Sequence, residues 1–563
     1  MLSFSRINRN IRSIRRYRQI LGVLIKYGFG QIVEQLNIDY YIELGRRIVT
    51  LGTASKGLER LTAAQRLRMA MEELGPTFIK LGQVLSTRPD LIPKDFAQEF
   101  IRLQDKVPPF DSKSVEQQLF LQLGRPLEDI FASFDSTPLA AASISQVHRA
   151  RLQNGEDVVV KIQRPGIDTI IETDLDILMA FAYLVENHLP AGLVTDPIAV
   201  VREFRRVIRR ELDFTREGRT IDRFAANFRN NEAVCIPRVY WEVTSPGVLT
   251  LSYIDGIKVN DFEALRRAEH DLQLIAQRGA DAFLEQVLVH GLFHGDPHPG
   301  NILVLPGDVI GLLDFGMVGH IDETLRHQLV DLILAIVSRD AEQIINHLFY
   351  AGNLTEETDR RQLKRDLAEF IDDYYDSALQ VIDAGRLVSE FIEILQRHHI
   401  KFPADLILLA KALVAMEGMG RQLDPEFNII EHLRPFLLRM MRERLSPGHI
   451  SRETRHLGQA YFNLLKTLPS DLKEFVDRIN RNKFKIDLEH RGLEKLISDI
   501  DKSSNRLSFS LLIGAIIVGS SLIMLTEKGP QLFGYPVLGL LGYTFAGFLG
   551  FWLAIAILRS GRL

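Results

Sequence analysis

Apolar residues recur in two rhythms along the first half of this chain and settle into one along the second. Thr62 opens a helical spacing that runs to Leu74, Gly75 and Pro76 interrupt it, and a second helix starts with proline in its first turn. That second helix carries Lys80, Gly82 and Gln83. Strand-like runs follow at Ala140–Leu152 and Val158–Ile162, separated by the turn sequence Gln153-Asn154-Gly155-Glu156, which predicts a hairpin. Val248–Tyr253 reads as another strand, while Thr173–His188 and Pro197–Phe228 carry helical spacing. From about Asp261 onward nearly everything is helical, apart from two short apolar strands, Ile302–Leu305 and Val309–Leu313, joined at Pro306-Gly307-Asp308. The pattern predicts an α+β chain with a mixed lobe over 116–255 and a helical lobe over 256–445. A helical extension over 61–115 precedes them, and a polar helical linker over 446–506 follows.

Both ends depart from this pattern. Leu507–Thr526 and Gly529–Leu558 contain no Asp, Glu, Lys or Arg, and a membrane span needs ~20 apolar residues. Lys502 and Arg506 precede the first run, Arg559 and Arg562 follow the second, and the connector holds only Glu527 and Lys528. The excess of cations at the outer flanks predicts a two-helix anchor over 507–558 in the cytoplasmic membrane, with both ends and the folded lobes on the cytoplasmic side. Gly542, Ala546 and Gly550 on one helix, with Ala515 and Gly519 on the other, permit close approach within the hairpin or in a homodimer. At the other end, Arg6, Arg9, Arg12, Arg15, Arg16 and Arg18 lie among Leu2, Phe4, Ile7, Ile11 and Ile14, with no acidic residue before Glu34. Residues 1–60 therefore read as a basic amphipathic segment resting on anionic lipid. The apolar run Ile20–Ile25 is too short to span, and no small-residue cleavage site follows it.

Composition narrows the choices slightly. At 563 residues the chain outgrows one core, since single cores stop growing near ~250 to 300 residues. A net charge of −4 gives no basic footprint for nucleic acid. Cys235 is the only cysteine, which excludes an intramolecular disulfide and a thiolate metal cage. No Gly-x-Gly-x-x-Gly turn opens a helix, which argues against a flavin or nicotinamide enzyme.

The chemistry concentrates in His294-Gly295-Asp296-Pro297-His298-Pro299-Gly300-Asn301, followed after a hairpin by Asp314-Phe315-Gly316. Phosphoryl transfer needs a carboxylate beside the attacking hydroxyl and ligands that hold Mg²⁺ against the phosphates of ATP. Asp296, Asn301 and Asp314 supply those groups, at separations of 5 and 18 residues from Asp296. His290, His294 and His298 share a fourfold spacing, but Pro297 and Pro299 forbid a helical zinc face through them. Val158-Val159-Val160-Lys161 provides a strand lysine of the kind that steadies α- and β-phosphates.

Taken together, Ala140-Ala141-Ala142-Ser143, Lys161, the run His294–Asn301 and Asp314-Phe315-Gly316 resemble the UbiB/ADCK family of atypical kinases. Lys80-Leu81-Gly82-Gln83 and Glu211-Leu212-Asp213 support the resemblance, which spans roughly Leu61 to Asp322. The bacterial UbiB branch is also similar in its paired C-terminal membrane helices. The resemblance implies a bilobal protein-kinase-like fold with an N-terminal helical extension and two C-terminal transmembrane helices, binding ATP and Mg²⁺. It further implies that Lys161 pairs with Glu217, and that Lys80 and Gln83 lie over the active site and engage Glu211 and Asp213. Asp296 becomes the catalytic carboxylate, with Asn301 and Asp314 on the metal. Support of ubiquinone-type quinone biosynthesis, with enzymes of that pathway as partners, is implied as well.

Two physical points accompany the resemblance. Ala140, Ala141 and Ala142 restrict the backbone freedom that glycines give an ordinary kinase loop, so this loop should hold nucleotide differently; the resemblance implies altered nucleotide preference and poor ordinary protein-kinase activity, and Ser143 offers a hydroxyl to phosphate. On one continuous helix Asp213 and Glu217 would share a face, with Glu211 about 200° from Asp213 at about 100° per residue. A helix break near these residues is therefore expected. Two alternatives stay open: a small-molecule kinase of the aminoglycoside or choline kinase type, and a kinase-shaped scaffold for lipid-modifying enzymes. Lys80-x-Gly-Gln, the alanine loop and the membrane hairpin argue against the first, and the retained Lys161, Asp296, Asn301 and Asp314 against the second.

Overall fold

The structure, a computed structural model, describes residues 2–30, 61–86, 92–103, 108–188, 196–338, 340–350, 359–375, 384–398, 400, 404–444, 473, 493–525, 530–532 and 535–559. Most of the linker expected over 446–506, residues 87–91 of the extension, Glu527 and Lys528 of the connector, and Arg562 lie outside these. The chain forms two compact units, Met1–Ser446 and Pro447–Leu563.

The first unit opens with helices α1 (Leu2–Lys26), α2 (Ala63–Leu74) and α3 (Pro76–Ser86). Thr62 caps α2 as its sequence suggests: its hydroxyl accepts from the Gln65 amide at 3.2 Å, and the Gln65 side chain accepts from the Thr62 amide at 3.1 Å. One arginine of the basic run, Arg16, turns inward instead of facing lipid. Ile20, Leu21, Val23 and Tyr27 of α1 are buried, Ile20 packing into the main core. Arg16 bonds Asp174 at 2.7 and 2.9 Å and the Leu74 carbonyl at 2.7 Å. Arg16 leaves water because a buried carboxylate receives it, a partner that composition alone cannot reveal, while Arg15 and Arg18 stay exposed.

An antiparallel sheet follows: β1 (Phe131–Phe134), β2 (Ala140–Ala141), β3 (Ser145–Leu152), β4 (Asp157–Gln163) and, after the short β5 (Val234–Cys235), β6 (Val248–Ser252). The single strand expected over 140–152 is two, because the chain turns back at Ala142, whose amide bonds the Ser145 carbonyl at 2.8 Å. Val158, Val160 and Ile162 of β4 are fully buried against Val115 and Leu119, so strand alternation turns Lys161 to the opposite face.

Helices α4 (Ile167–His188), α5 (Pro197–Glu211) and α6 (Phe214–Asn227) stand between β4 and β5. The expected break is present: α5 ends at Glu211, and Asp213 caps α6 by accepting from the Thr215 amide at 3.2 Å. After β7 (Ile257–Lys258) and α7 (Leu272–Glu285), a single π turn over Gln286–His290 ends at Gly291, whose φ of +63° suits glycine. There follow β8 (Leu292–His294), β9 (Ile302–Leu305), β10 (Val309–Leu312) and β11 (Val318–His320), then helices that include α8 (Ala404–Leu423). β9 and β10 form the expected hairpin, and β8 pairs with β11 in a small sheet of its own.

In the second unit, α9 (Leu493–Met524) and α10 (Val537–Arg559) are antiparallel partners. They contain two stretches long and apolar enough to cross a membrane, Ser503–Met524 and Val537–Ala554. Their seam uses Gly539 against Met524 and Gly542 against Ser520, with Ala546 buried beside them and Ser521 hydrogen-bonded to Tyr543 at 2.6 Å. Gly519 and Gly550 face open space instead.

Candidate nucleotide site

Three separate pieces of chain place their charges in one cleft. From β4, Lys161 Nζ donates to both oxygens of Glu217 on α6 at 2.9 Å and stands 3.5 Å from Asp314 Oδ1. The helix break makes this possible, because a cap at Asp213 puts Glu217 in the first turn of a fresh helix aimed at β4. Phe224, farther along α6, packs 4.9 Å from Phe315, which lies 5.6 Å from the His294 ring. One apolar stack thus connects α6, the Asp-Phe-Gly run and the His-Gly-Asp run.

The floor of the cleft is built from backbone. β8 delivers His294, whose Nδ1 accepts from the Asp296 amide at 3.2 Å while its Nε2 bonds the Leu313 carbonyl at 2.9 Å. The Asn301 amide group donates from Nδ2 to the Asp296 carbonyl at 3.1 Å, and the Leu313 amide donates to the Asn301 carbonyl at 2.8 Å. The β9–β10 hairpin therefore returns Asp314 to the side of Asn301. Asp314 has a φ of +48°, an uncommon conformation for a residue with a side chain and one that clusters at functional positions.

One ammonium serves two carboxylates here. Lys161 holds the Asp314 carboxyl down at about 2, against the effect of burial and with help from Lys80. Since Asp314 is 54% exposed, the neighbouring cations decide its state. Burial would lower Lys161, but Asp314 and Glu217 together carry it upward. Glu217 is pushed up by burial, which Lys161 offsets only in part. The cluster is left short of positive charge.

The extension closes one side. Lys80 of α3 pairs with Glu211 at 2.6 Å. Gln83 reaches the Leu103 carbonyl at 3.5 Å, and Asp213 serves as the α6 cap and pairs with Arg216 at 3.4 Å, so the structure brings Lys80 to Glu211 and does not bring Gln83 to Asp213. Gly82 lets α3 press onto Leu103 and Met71, where a Cβ would collide with the Leu103 side chain. Gly82→Ala forces the ends of Leu103 and Met71 to shift, and the overpacking cost of about 1–3 kcal/mol, less the roughly 1 kcal/mol that alanine gains over glycine inside a helix, should leave a net loss of about 1–2 kcal/mol. Chemical denaturation of the full chain would show the shift, and an unchanged midpoint would refute tight packing there.

Ala140 and Ala141 pair with Val147 and Gln146 at the mouth of the sheet. Ser143 is fully enclosed, and among the described residues its Oγ has no hydrogen-bond partner, so the hydroxyl is not presented to solvent. Four contributors escaped sequence reading: Arg16, Asp174 and Thr77, whose Oγ1 donates to Asp174 at 2.6 Å, and Lys411, which lies 3.8 Å from Asp296.

Comparisons with known proteins match most of the chain. Residues 102–348 match the ABC1 atypical kinase-like domain, 367–428 the UbiB helical domain and 491–559 the ABC1/UbiB kinase-like C-terminal domain. A protein of Pseudomonas fluorescens named "Probable protein kinase UbiB" is 33% identical over 83% of this chain and 88% of its own. The chain belongs to the UbiB family of atypical kinases. Two uncharacterised relatives extend the likeness: one from Synechocystis is 35% identical over 83% of this chain and 81% of its own. The other, from Clostridium pasteurianum, is 33% identical over 98% of this chain and the whole of its own. A solved Mycobacterium tuberculosis protein in complex with erythromycin overlays with a TM-score of 0.45 and 26% identity, covering 64% of this chain and 92% of that one. A kinase-like fold and membership of the UbiB family thus stand together, and ATP with a divalent metal is what the kinase-like family implies.

The residues present suit such a metal. Among the described residues no cluster of three or more His, Cys, Asp or Glu could hold one alone. Mg²⁺ is ordinarily bound through one or two carboxylates together with substrate phosphates, not by an all-protein cage. Asp314 supplies an ionised carboxylate, and Asn301, whose Nδ2 is engaged by Asp296, retains Oδ1 as an acceptor.

Proposed function

We propose that this chain is a membrane-anchored atypical kinase or ATPase that binds ATP with Mg²⁺ and supports isoprenoid quinone biosynthesis of the ubiquinone type. The observation that carries the reading is the convergence of Lys161, held by Glu217, on Asp314, with Asn301 and Asp296 tied together on the cleft floor. In this reading Lys161 steadies the α- and β-phosphates, and Asp296 receives the proton of the attacking hydroxyl or water. Asp314 and Asn301 would hold Mg²⁺, which supplies positive charge against the phosphates. Lys80, paired with Glu211 beside the cleft, limits which acceptor reaches Asp296. The apolar helices α9 and α10 anchor the chain in the cytoplasmic membrane with the kinase-like unit on the cytoplasmic side, consistent with basic residues outside both spans.

The test is nucleotide binding by the full chain in lipid nanodiscs. ATP with Mg²⁺ should raise the melting temperature, and Asp314→Asn should remove most of that rise, because the metal ligand loses its charge. Equal protection of both proteins would defeat the assignment. Quinone content in cells carrying Asp296→Ala in place of the wild type should fall to that of cells lacking the protein; full rescue would indicate a scaffold.

A further inference from the structure

The catalytic loop is poor in cations. Between Asp296 and Asn301 it reads Pro-His-Pro-Gly, and His298 is committed to the turn, its Nδ1 accepting from the Gly300 amide at 3.1 Å. Lys161 is engaged by Glu217 and Asp314, and Lys80 by Glu211. A phosphoryl group arriving beside Asp296 thus meets no lysine or arginine from the loop itself. The cation comes instead from α8, in the segment that matches the UbiB helical domain.

Lys411 of α8 lies 3.8 Å from Asp296 Oδ1. That is beyond the 2.7–3.2 Å of a direct N–H···O bond, so the pair is loose, and the two side chains are 37% and 46% exposed. The position of Lys411 is nevertheless fixed. The Asp405 carboxylate, in the first turn of α8, accepts from the His320 amide of β11 at 3.3 Å. Leu408 fills the space over Gly295, where an added Cβ would come within 2.7 Å of it. Leu408 and Lys411 are three residues apart and share a helical face, so the contact with Gly295 aims Lys411 at the next residue of the loop.

We propose that Lys411 is a catalytic cation that contacts the terminal phosphoryl group of the nucleotide during its transfer. This rests on the ATP-site reading above and extends it to the helical segment. In the step, the oxygen of water or of an alcohol acceptor forms a bond to the γ-phosphorus. The bond from that phosphorus to the β–γ bridging oxygen breaks, and its electron pair leaves with ADP. The acceptor proton passes to the Asp296 carboxylate. Lys411 changes no bond and offsets charge on the oxygens of the moving group, a role that costs little reorganisation in a preformed site.

The experiment compares wild type, Lys411→Met and Lys411→Arg as full chains in nanodiscs, with ATP and ADP titrated calorimetrically in Mg²⁺ and ATP turnover measured alongside. Because ADP lacks the group that Lys411 would touch, Lys411→Met should weaken ATP about tenfold and leave ADP within about twofold. It should lower kcat about 10²-fold, the scale of one lost electrostatic contact, and Lys411→Arg should recover much of both. Melting temperatures establish that each variant folds, and the arginine variant retains the charge should the methionine variant fail to fold. An unchanged ATP-to-ADP ratio overturns the proposal, even with reduced kcat, since Lys411 would then only position Asp296. Its failure is separable from that of the ATP-site reading: nucleotide binding that is lost in Asp314→Asn but indifferent to Lys411 removes this proposal alone. A wild-type chain that binds no nucleotide removes both.

Discussion

Lys161→Met is expected to lower ATP turnover by about 10² or more, the cost of removing a preorganised charge from a phosphoryl-transfer site. The same change should make the fold more sensitive to pH than the wild type is. Glu217 is already pushed above its ordinary 4.5 by burial, and Lys161 is the cation that restrains it. Without that ammonium the carboxyl rises further. A carboxyl whose folded value exceeds its unfolded value favours folding in the protonated form. Its contribution is complete below 4.5 and is lost as pH rises through the folded value. The variant should therefore melt at steadily lower temperature as pH increases above the ordinary carboxylate range, while the wild type changes less. Adding Glu217→Gln should flatten that dependence without restoring turnover. If the single variant showed the wild-type pH profile, the coupling between Lys161 and Glu217 would be wrong.

The second large effect belongs to a residue far from the cleft in sequence. Asp174 is wholly buried and receives Arg16, Thr77 and no solvent; Arg16 itself is 17% exposed. Removing one partner of a buried ion pair leaves an uncompensated charge, and such changes cost about 3–5 kcal/mol. Arg16→Ala should show a loss of that order in denaturant unfolding of the full chain. Since Arg16 also holds the Leu74 carbonyl at the junction of α2 and α3, the Lys80–Glu211 pair should loosen with it, seen as faster amide exchange in α3. Arg16→Ala with Asp174→Asn should be milder than the single change, because no charge is stranded. A single variant within about 0.5 kcal/mol of wild type, the range of ordinary surface substitutions, would mean the clamp is unimportant.

The parts of this protein that could be read from its sequence are those whose cause is local. Thr62 and Gln65 are three residues apart, so their reciprocal cap is visible as a pattern. The break between Glu211 and Asp213 followed from helical angles, and the Asp-Phe-Thr run at its far side is an ordinary capping signal. Asp296, Asn301 and Asp314 were legible because a hairpin of fixed length connects them. What could not be read depends on distant pairing. Arg16 looked like one cation among six facing lipid, and only the fold supplies Asp174, 158 residues away. Lys411 sits in an otherwise apolar stretch of helix, and nothing near it in the chain announces Asp296. Gln83 is the converse case, a motif residue whose bond to Leu103 replaces the carboxylate expected for it. The tight turn at Ala142 was missed because alanine gives no turn signal of its own.

The separation of Arg16 from Asp174 also orders events during synthesis. The partner of Arg16 is made 158 residues after it, a delay on the order of 10 to 30 s at bacterial or eukaryotic rates of elongation. In that interval β1 to β4 are complete and can pair through short loops, since contacts close in sequence form first. α1 can meet α2 early, through Lys26 and Tyr27 on Glu73, but the Arg16 guanidinium waits for the Asp174 carboxylate until α4 is made. β6, at Val248–Ser252, is made later still, so the sheet around β4 is completed only after the partner of Arg16 exists.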